Sequence, residues 1–320
     1  MKVLVIGGTG YLGHCVTGAA LEQGYEVVSA SRGLKNEFDR PAGAVAVKLD
    51  RTDSTALKRL ADEHTFGAVL DVVPYSGEQV EQVAAAFGDQ IGKYVACSSM
   101  AVYGIATCFP TDESHPRNPF SPWAGKVEAE DAAFDYGATS GVAATVLRVP
   151  YLVGEGSVLI DVWGNKHPGF IQRIIDDKPI SIPDSGLKLF QMGHVEGVAR
   201  AFVRAVETDA AAGQAYNIGQ AQAITYNCYL EILGELLNRE PAVAHVPSRY
   251  LAEIYGGKEG KLIPDVFKVN WPRHVCCDVS KAARDLGFRT TIDVREGLRR
   301  SLKWMAATDK IAPTDDIDLG

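Results

Sequence analysis

The chain opens on Met1-Lys2-Val3-Leu4-Val5-Ile6 and runs at once into Gly7-Gly8-Thr9-Gly10-Tyr11-Leu12-Gly13. The apolar run is short, rich in β-branched residues and free of polar alternation, which predicts a strand buried on both faces. Behind the glycines a helical pattern begins. Val16, Ala19, Ala20 and Leu21 mark one apolar face, and Gly24 closes the helix as a C-cap. Glu26-Val27-Val28-Ser29-Ala30 predicts a second strand. Strand, glycine-rich turn, helix and strand together form a dinucleotide-binding unit. Glycine serves three needs there: a tight turn, backbone approach to a pyrophosphate, and close packing of helix on strand. Gly7, Thr9, Gly10, Tyr11, Leu12 and Gly13 are the expected phosphate-side residues. The free N–H groups and positive partial charge of the helix start complete the site.

The end of the second strand selects the cofactor. An NAD-preferring site usually carries an acid there, bonded to the ribose hydroxyls. This chain has Ser31-Arg32, with Lys35 close by. A carboxylate would repel a 2′-phosphate, whereas a hydroxyl and a guanidinium would bind it. NADP(H) is therefore the expected cofactor.

Bulk properties narrow the class. At 320 residues the chain is long enough for two domains, or for one large α/β domain with an appendage. A net charge of -8 argues against general nucleic-acid or membrane-surface binding. No apolar stretch reaches membrane-spanning length. The N-terminus reads as a structural strand rather than a signal peptide, so a cytoplasmic protein is expected. Six cysteines without a C-x-x-C pair give no zinc pattern, and no metal site is expected.

Further strands are predicted at Ala44–Leu49, Gly67–Val73, Lys93–Cys97 and Ala143–Pro150, with helices between them. This βαβ alternation argues for an α/β Rossmann fold, a doubly wound parallel sheet. Residues 1–154, joined by about 194–220, form the expected nucleotide-binding domain. Residues 155–193 and 221–305 form a smaller C-terminal α/β substrate domain, and 306–320 is a tail.

Several segments, taken in order, resemble the extended short-chain dehydrogenase/reductase superfamily, which includes nucleotide-sugar epimerases and dehydratases. They are Gly7-x-x-Gly10-x-x-Gly13, Ser98-Ser99-Met100-Ala101-Val102-Tyr103-Gly104, Gly125-Lys126-Val127-Glu128-Ala129-Glu130, Arg148 to Gly154, His194-Val195-Glu196-Gly197-Val198-Ala199, Tyr216-Asn217-Ile218-Gly219 and Asp278 to Phe288. The resemblance implies that Asp50, with Arg51 beside it, meets the adenine. It places Val73-Pro74 over the cofactor and Pro150 beside the nicotinamide. It makes Ser99 the hydrogen-bond partner of the reacting oxygen and Lys126 the holder of the nicotinamide ribose.

One departure stands out. The family's catalytic tyrosine lies four residues before the lysine, where this chain has Pro122, or Trp123 if one residue is deleted. Neither moves a proton. Tyr103, Tyr75, Tyr151, His194, Lys126 itself or a water held by Ser99 are the candidate replacements. The run around Lys126 without its tyrosine resembles atypical members of the superfamily, among them the chloroplast stem-loop RNA-binding group.

The leading expectation is an NADP(H)-dependent oxidoreductase that passes hydride to or from a polar secondary alcohol or ketone, with Ser99, Lys126 and Tyr103 as catalytic candidates. The first alternative is a nucleotide-sugar epimerase or dehydratase with a retained cofactor. The second is a non-catalytic NADP-binding or RNA-binding regulatory protein. A small-molecule substrate is the expected partner, a homodimer the expected assembly, and nucleic acid is disfavoured.

Overall fold

The computed structural model describes residues 1–33, 38, 41–119, 123–164, 166–247 and 274–312. Lys35, Pro122, residues 248–273 of the expected substrate domain and most of the expected tail lie outside the described residues.

The first strand, β1 (Lys2–Ile6), is fully covered, as its apolar run requires. Val3 and Val5 face one core, and Leu4 and Ile6 face the other. The glycine turn leads into α1 (Tyr11–Glu22), which packs over the first face. Next come β2 (Glu26–Ser31), β3 (Val45–Lys48), α2 (Ser54–Glu63), β4 (Ala68–Asp71), α3 (Gly77–Phe87) and β5 (Lys93–Ser99). Asp53 caps α2 by accepting from the Ala56 N–H at 3.0 Å. A 3-10 turn over Met100–Tyr103 follows β5, then α4 (Ala124–Ser140) and β6 (Ala143–Val149).

β10 (Gln214–Asn217) joins these strands in a seven-stranded sheet of order β10-β6-β5-β4-β1-β2-β3. Every pairing in it is parallel. The order reverses direction between β1 and β4, and the strand ends there open a crevice suited to a ligand. Helices cover both faces. α1 and α6 (Val195–Glu207) lie on one, and α2, α3 and α4 on the other. This is the doubly wound α/β fold that the sequence predicts.

The chain leaves the sheet after β6. A three-stranded sheet contains β7 (Tyr151–Val153), β9 (Leu189–His194) and β11 (Ala223–Thr225), in the order β11-β9-β7. β8 (Ile180–Pro183) pairs in parallel with β12 (Val243–Val246). The helices of this part are α5 (Gly169–Ile175) and α7 (Tyr226–Leu237); α8 (Ser280–Asp285) returns to the first core, and α9 (Val294–Ala307) follows. A separate apolar core unites Phe170, Phe190, Tyr229, Leu298 and Leu302. The segment Arg148 to Gly154 thus contributes a short strand, Tyr151–Val153, and Ile311, within the expected tail, is buried in this core.

Candidate active site

The glycine turn is held by steric necessity. Gly7 has φ +87°, and a Cβ there would lie 2.8 Å from the Val73 side chain. A Cβ on Gly13 would collide with the Gly7 carbonyl, and one on Gly8 with the Ser29 hydroxyl. Gly10, the N-cap of α1, caps nothing with a side chain, and the first turn carries no acid. Among the described residues, the leading N–H groups of α1 thus have neither an intrahelical nor a capping side-chain partner. That is the state in which a helix start accepts an anion.

A cavity of about 340 Å³ opens beside this turn. Gly7, Thr9 and Gly10 line it from the turn, Ser31 and Arg32 from the end of β2, Asp50 and Arg51 from the end of β3, and Val73 and Tyr75 from the end of β4. Leu12 and Gly13 are buried beneath the turn, Pro74 is buried beside Val73, and Pro150 lies elsewhere. The Asp50 carboxylate accepts from the Thr52 N–H at 3.0 Å and the Thr52 hydroxyl at 2.7 Å, which holds its pKa below the usual carboxylate value.

Arg51 does more than line the cavity. Its Nη1 and Nη2 donate to the two Asp71 oxygens at 2.7 and 2.9 Å, and Nη2 also donates to the Gln79 carbonyl at 2.9 Å. Tyr94 donates to Asp71 at 3.0 Å, and so does the Val73 N–H at 3.2 Å. The guanidinium fork therefore ties the ends of β3 and β4 to the first turn of α3, and its Nε has no hydrogen-bond partner among the described residues. Sequence reading missed Asp71; its signal was a single acid in an otherwise apolar strand.

A second cavity, about 1160 Å³, lies over the ends of β5 and β6. Ser99, Trp123, Pro150, Tyr151, Trp163 and Lys166 are in its wall. Ser99 ends β5 opposite Val149 of β6. Its Oγ accepts from the Ala101 N–H at 3.1 Å, so its own O–H remains able to donate. Trp123, three residues before Lys126, gives the cavity an aromatic wall.

Lys126 is 7% exposed and lies beside Tyr75, which lines the smaller cavity. Its Nζ donates to the Cys97 carbonyl at 2.9 Å and lies 4.6 Å from the centre of the Tyr75 ring. Burial pushes its pKa down, partly opposed by Cys97 and Asp71. A Cβ on Gly125 would strike the Tyr75 carbonyl, so glycine allows the start of α4 to approach the β4 loop.

Tyr103 does not reach the site. Its phenol donates to Asn217 Oδ1 at 2.8 Å and accepts from Arg148 Nη1 at 2.8 Å. Arg148 also holds Glu130, and Glu130 accepts from Ser98. Burial pushes the Tyr103 pKa up, which suits a structural hydroxyl rather than a proton carrier. His194 is likewise enclosed, 2% exposed against Gly154. Of the tyrosines considered as proton carriers, Tyr151 is the one in the wall with Ser99. Among the described residues no group of three or more His, Cys, Asp or Glu is placed to hold a metal. No described helix is long and apolar enough to cross a membrane.

Known proteins agree with this architecture. The chain is 26% identical to the chloroplast stem-loop binding protein of 41 kDa b from Arabidopsis thaliana, over 94% of this chain and 78% of that protein. The fold matches the UDP-glucose 4-epimerase of Thermotoga maritima, solved with UDP-glucose, at TM-score 0.76 and 22% identity, covering 96% and 99% of the two chains. It also matches the UDP-glucuronic acid 4-epimerase of Bacillus cereus, solved with UDP-glucuronic acid and NAD, at TM-score 0.76 and 18% identity, covering 96% and 100%. A model of the NAD dependent epimerase/dehydratase family matches residues 3–219, the stretch that holds the glycine turn, Ser99 and Lys126. With its parallel sheet and glycine turn, the chain belongs to the NAD dependent epimerase/dehydratase family of enzymes.

Proposed function

We propose that this protein acts on a nucleotide-linked sugar as an epimerase or dehydratase that retains its cofactor. The observation that carries this reading is the position of Ser99 and Lys126. Ser99 lines the large cavity at the carboxyl end of β5, and Lys126 bonds Cys97 of the same strand and lies against Tyr75 in the wall of the smaller cavity. The residues fit a nicotinamide dinucleotide: the helix start is uncapped, the glycines clear the space a backbone-hugging bisphosphate needs, and a cavity adjoins them. Such a cofactor, when bound, supplies a hydride acceptor and donor.

The protein's own groups do the rest. Tyr11 and Leu12 offer N–H groups to the phosphates. Ser31 and Arg32 receive a 2′-phosphate, which makes NADP(H) the preferred cofactor. Lys126, with one N–H given to Cys97, keeps two for ribose hydroxyls. Ser99 donates its O–H to the reacting sugar oxygen, and the Tyr151 phenol in the same wall carries the proton. Trp123 and Trp163 offer flat apolar faces to the sugar ring.

Incubation with UDP-sugars and dTDP-sugars, followed by NMR of the products and absorbance at 340 nm, tests the reading. A changed sugar with no net absorbance change supports it. Stoichiometric gain or loss of the reduced cofactor would instead establish the net oxidoreductase. An unchanged sugar panel, with nicotinamide bound, would refute the sugar assignment.

A further inference from the structure

Lys166 comes from the part of the chain beyond the parallel sheet. Its backbone forms an antiparallel bridge with Ile160, which closes a short hairpin at the wall of the large cavity. The side chain points toward the glycine turn: Nζ lies 5.9 Å from the centre of the ring of Tyr11, the first residue of α1. Some lysines elsewhere find carboxylates, as in Lys58–Asp62 and Lys93–Asp209, each at 2.7 Å. Lys166 makes no ion pair among the described residues. The residue is exposed on the cavity wall, and no acid is among the causes that shift its pKa, which desolvation lowers. An ammonium without a carboxylate partner on a cavity wall favours an anion there. The helix start beside it is itself uncapped and free of acid in its first turn.

Building on the cofactor site proposed above, we infer that Lys166 reaches across from the Ile160–Lys166 hairpin to bind the bisphosphate bridge of the dinucleotide. A flexible four-carbon stem gives the ammonium the reach to swing off the Tyr11 ring onto a phosphate oxygen. The bridge then lies between the N–H groups of α1 on one side and the ammonium on the other. Cofactor binding would seat the hairpin, and with it this wall of the substrate cavity.

Binding of four probes to the full chain tests the assignment: NADPH, ADP-ribose, adenosine 2′-monophosphate and UDP. Lys166→Met is expected to weaken NADPH and ADP-ribose about ten-fold or more, less at high salt. Adenosine 2′-monophosphate has no bridge and should bind as before. Lys166→Arg should recover most of the loss, which rules out a fold defect. Unchanged NADPH affinity in Lys166→Met overturns the assignment, as does an equal loss for adenosine 2′-monophosphate. A loss confined to UDP also overturns it, since the cation would then serve the substrate. Failure of the unaltered protein to bind either NADPH or ADP-ribose is a different result, and it sinks the functional reading itself.

Discussion

Arg148 grips both carboxylate oxygens of Glu130, Nε at 3.0 Å from Oε1 and Nη2 at 2.7 Å from Oε2. The pair is almost wholly removed from solvent, with Arg148 3% and Glu130 1% exposed. Ser98, Tyr103 and Arg117 complete it, so every member of the network is hydrogen-bonded. Removing one partner strands a buried charge. Glu130→Ala and Arg148→Met should each lower unfolding free energy by about 3–5 kcal/mol in urea denaturation.

Tyr103→Phe removes only a hydroxyl from that network. A loss of about 1–3 kcal/mol is expected, with NADPH affinity and turnover unchanged once the variant is folded. A folded variant with stability intact and turnover abolished would restore Tyr103 to the catalytic role its motif suggested.

Gly13 packs against the carbonyl of Gly7, with no space for a methyl group. Gly13→Ala must push α1 away from the turn. Overpacking of this kind costs about 1–3 kcal/mol, and the displaced helix start should lose cofactor affinity by far more than stability alone explains. Paired thermal melts and NADPH titrations separate the two effects.

Arg32 lines the smaller cavity beside Ser31. Arg32→Asp replaces a phosphate donor with a repelling charge and a ribose acceptor. The NADPH to NADH affinity ratio should fall at least about ten-fold. An unchanged ratio would exclude the end of β2 as the 2′-phosphate site.

Burial lowers the His194 pKa; Glu196 pulls the other way, while Arg300 and Arg200 reinforce burial. Among the described residues neither ring nitrogen is hydrogen-bonded, and the Glu196 carboxylate is 4.0 Å from Nδ1. The folded protein keeps the ring neutral, whereas the unfolded chain takes up a proton near pH ~6.5. This contribution is complete above that pH and is lost as pH falls through the lower, folded value. Melting temperature should drop from about pH 7.5 to about pH 5.5, and drop less in His194→Gln. Equal drops in both proteins would remove His194 from the account.

The parallel sheet was legible because its cause is local. Val3 to Ile6 are apolar without alternation, and the glycines follow directly. Local signals also start two helices: Asp53 and Thr225 accept from the Ala56 and Cys228 N–H groups as side-chain caps. The second sheet was hidden because Tyr151–Val153 spans three residues and β9 buries Gln191 in its middle, which breaks any apolar run. Motifs located the active-site region but not the direction of each side chain. Tyr103 turns away because Arg148 and Asn217, 45 and 114 residues distant in sequence, claim its hydroxyl. The fork of Arg51 on Asp71 was invisible for the same reason: two charges 20 residues apart meet only once β3 and β4 take their places in the sheet.

The central claim is that the uncapped start of α1, beside the glycine turn, holds a nicotinamide dinucleotide. Fluorescence titration of the unaltered protein with NADPH and with NADH, beside Gly13→Ala, tests it most directly. The account predicts saturable binding, tighter for NADPH, and its loss in Gly13→Ala. No binding of either dinucleotide, or equal binding by the Gly13→Ala protein, would contradict it.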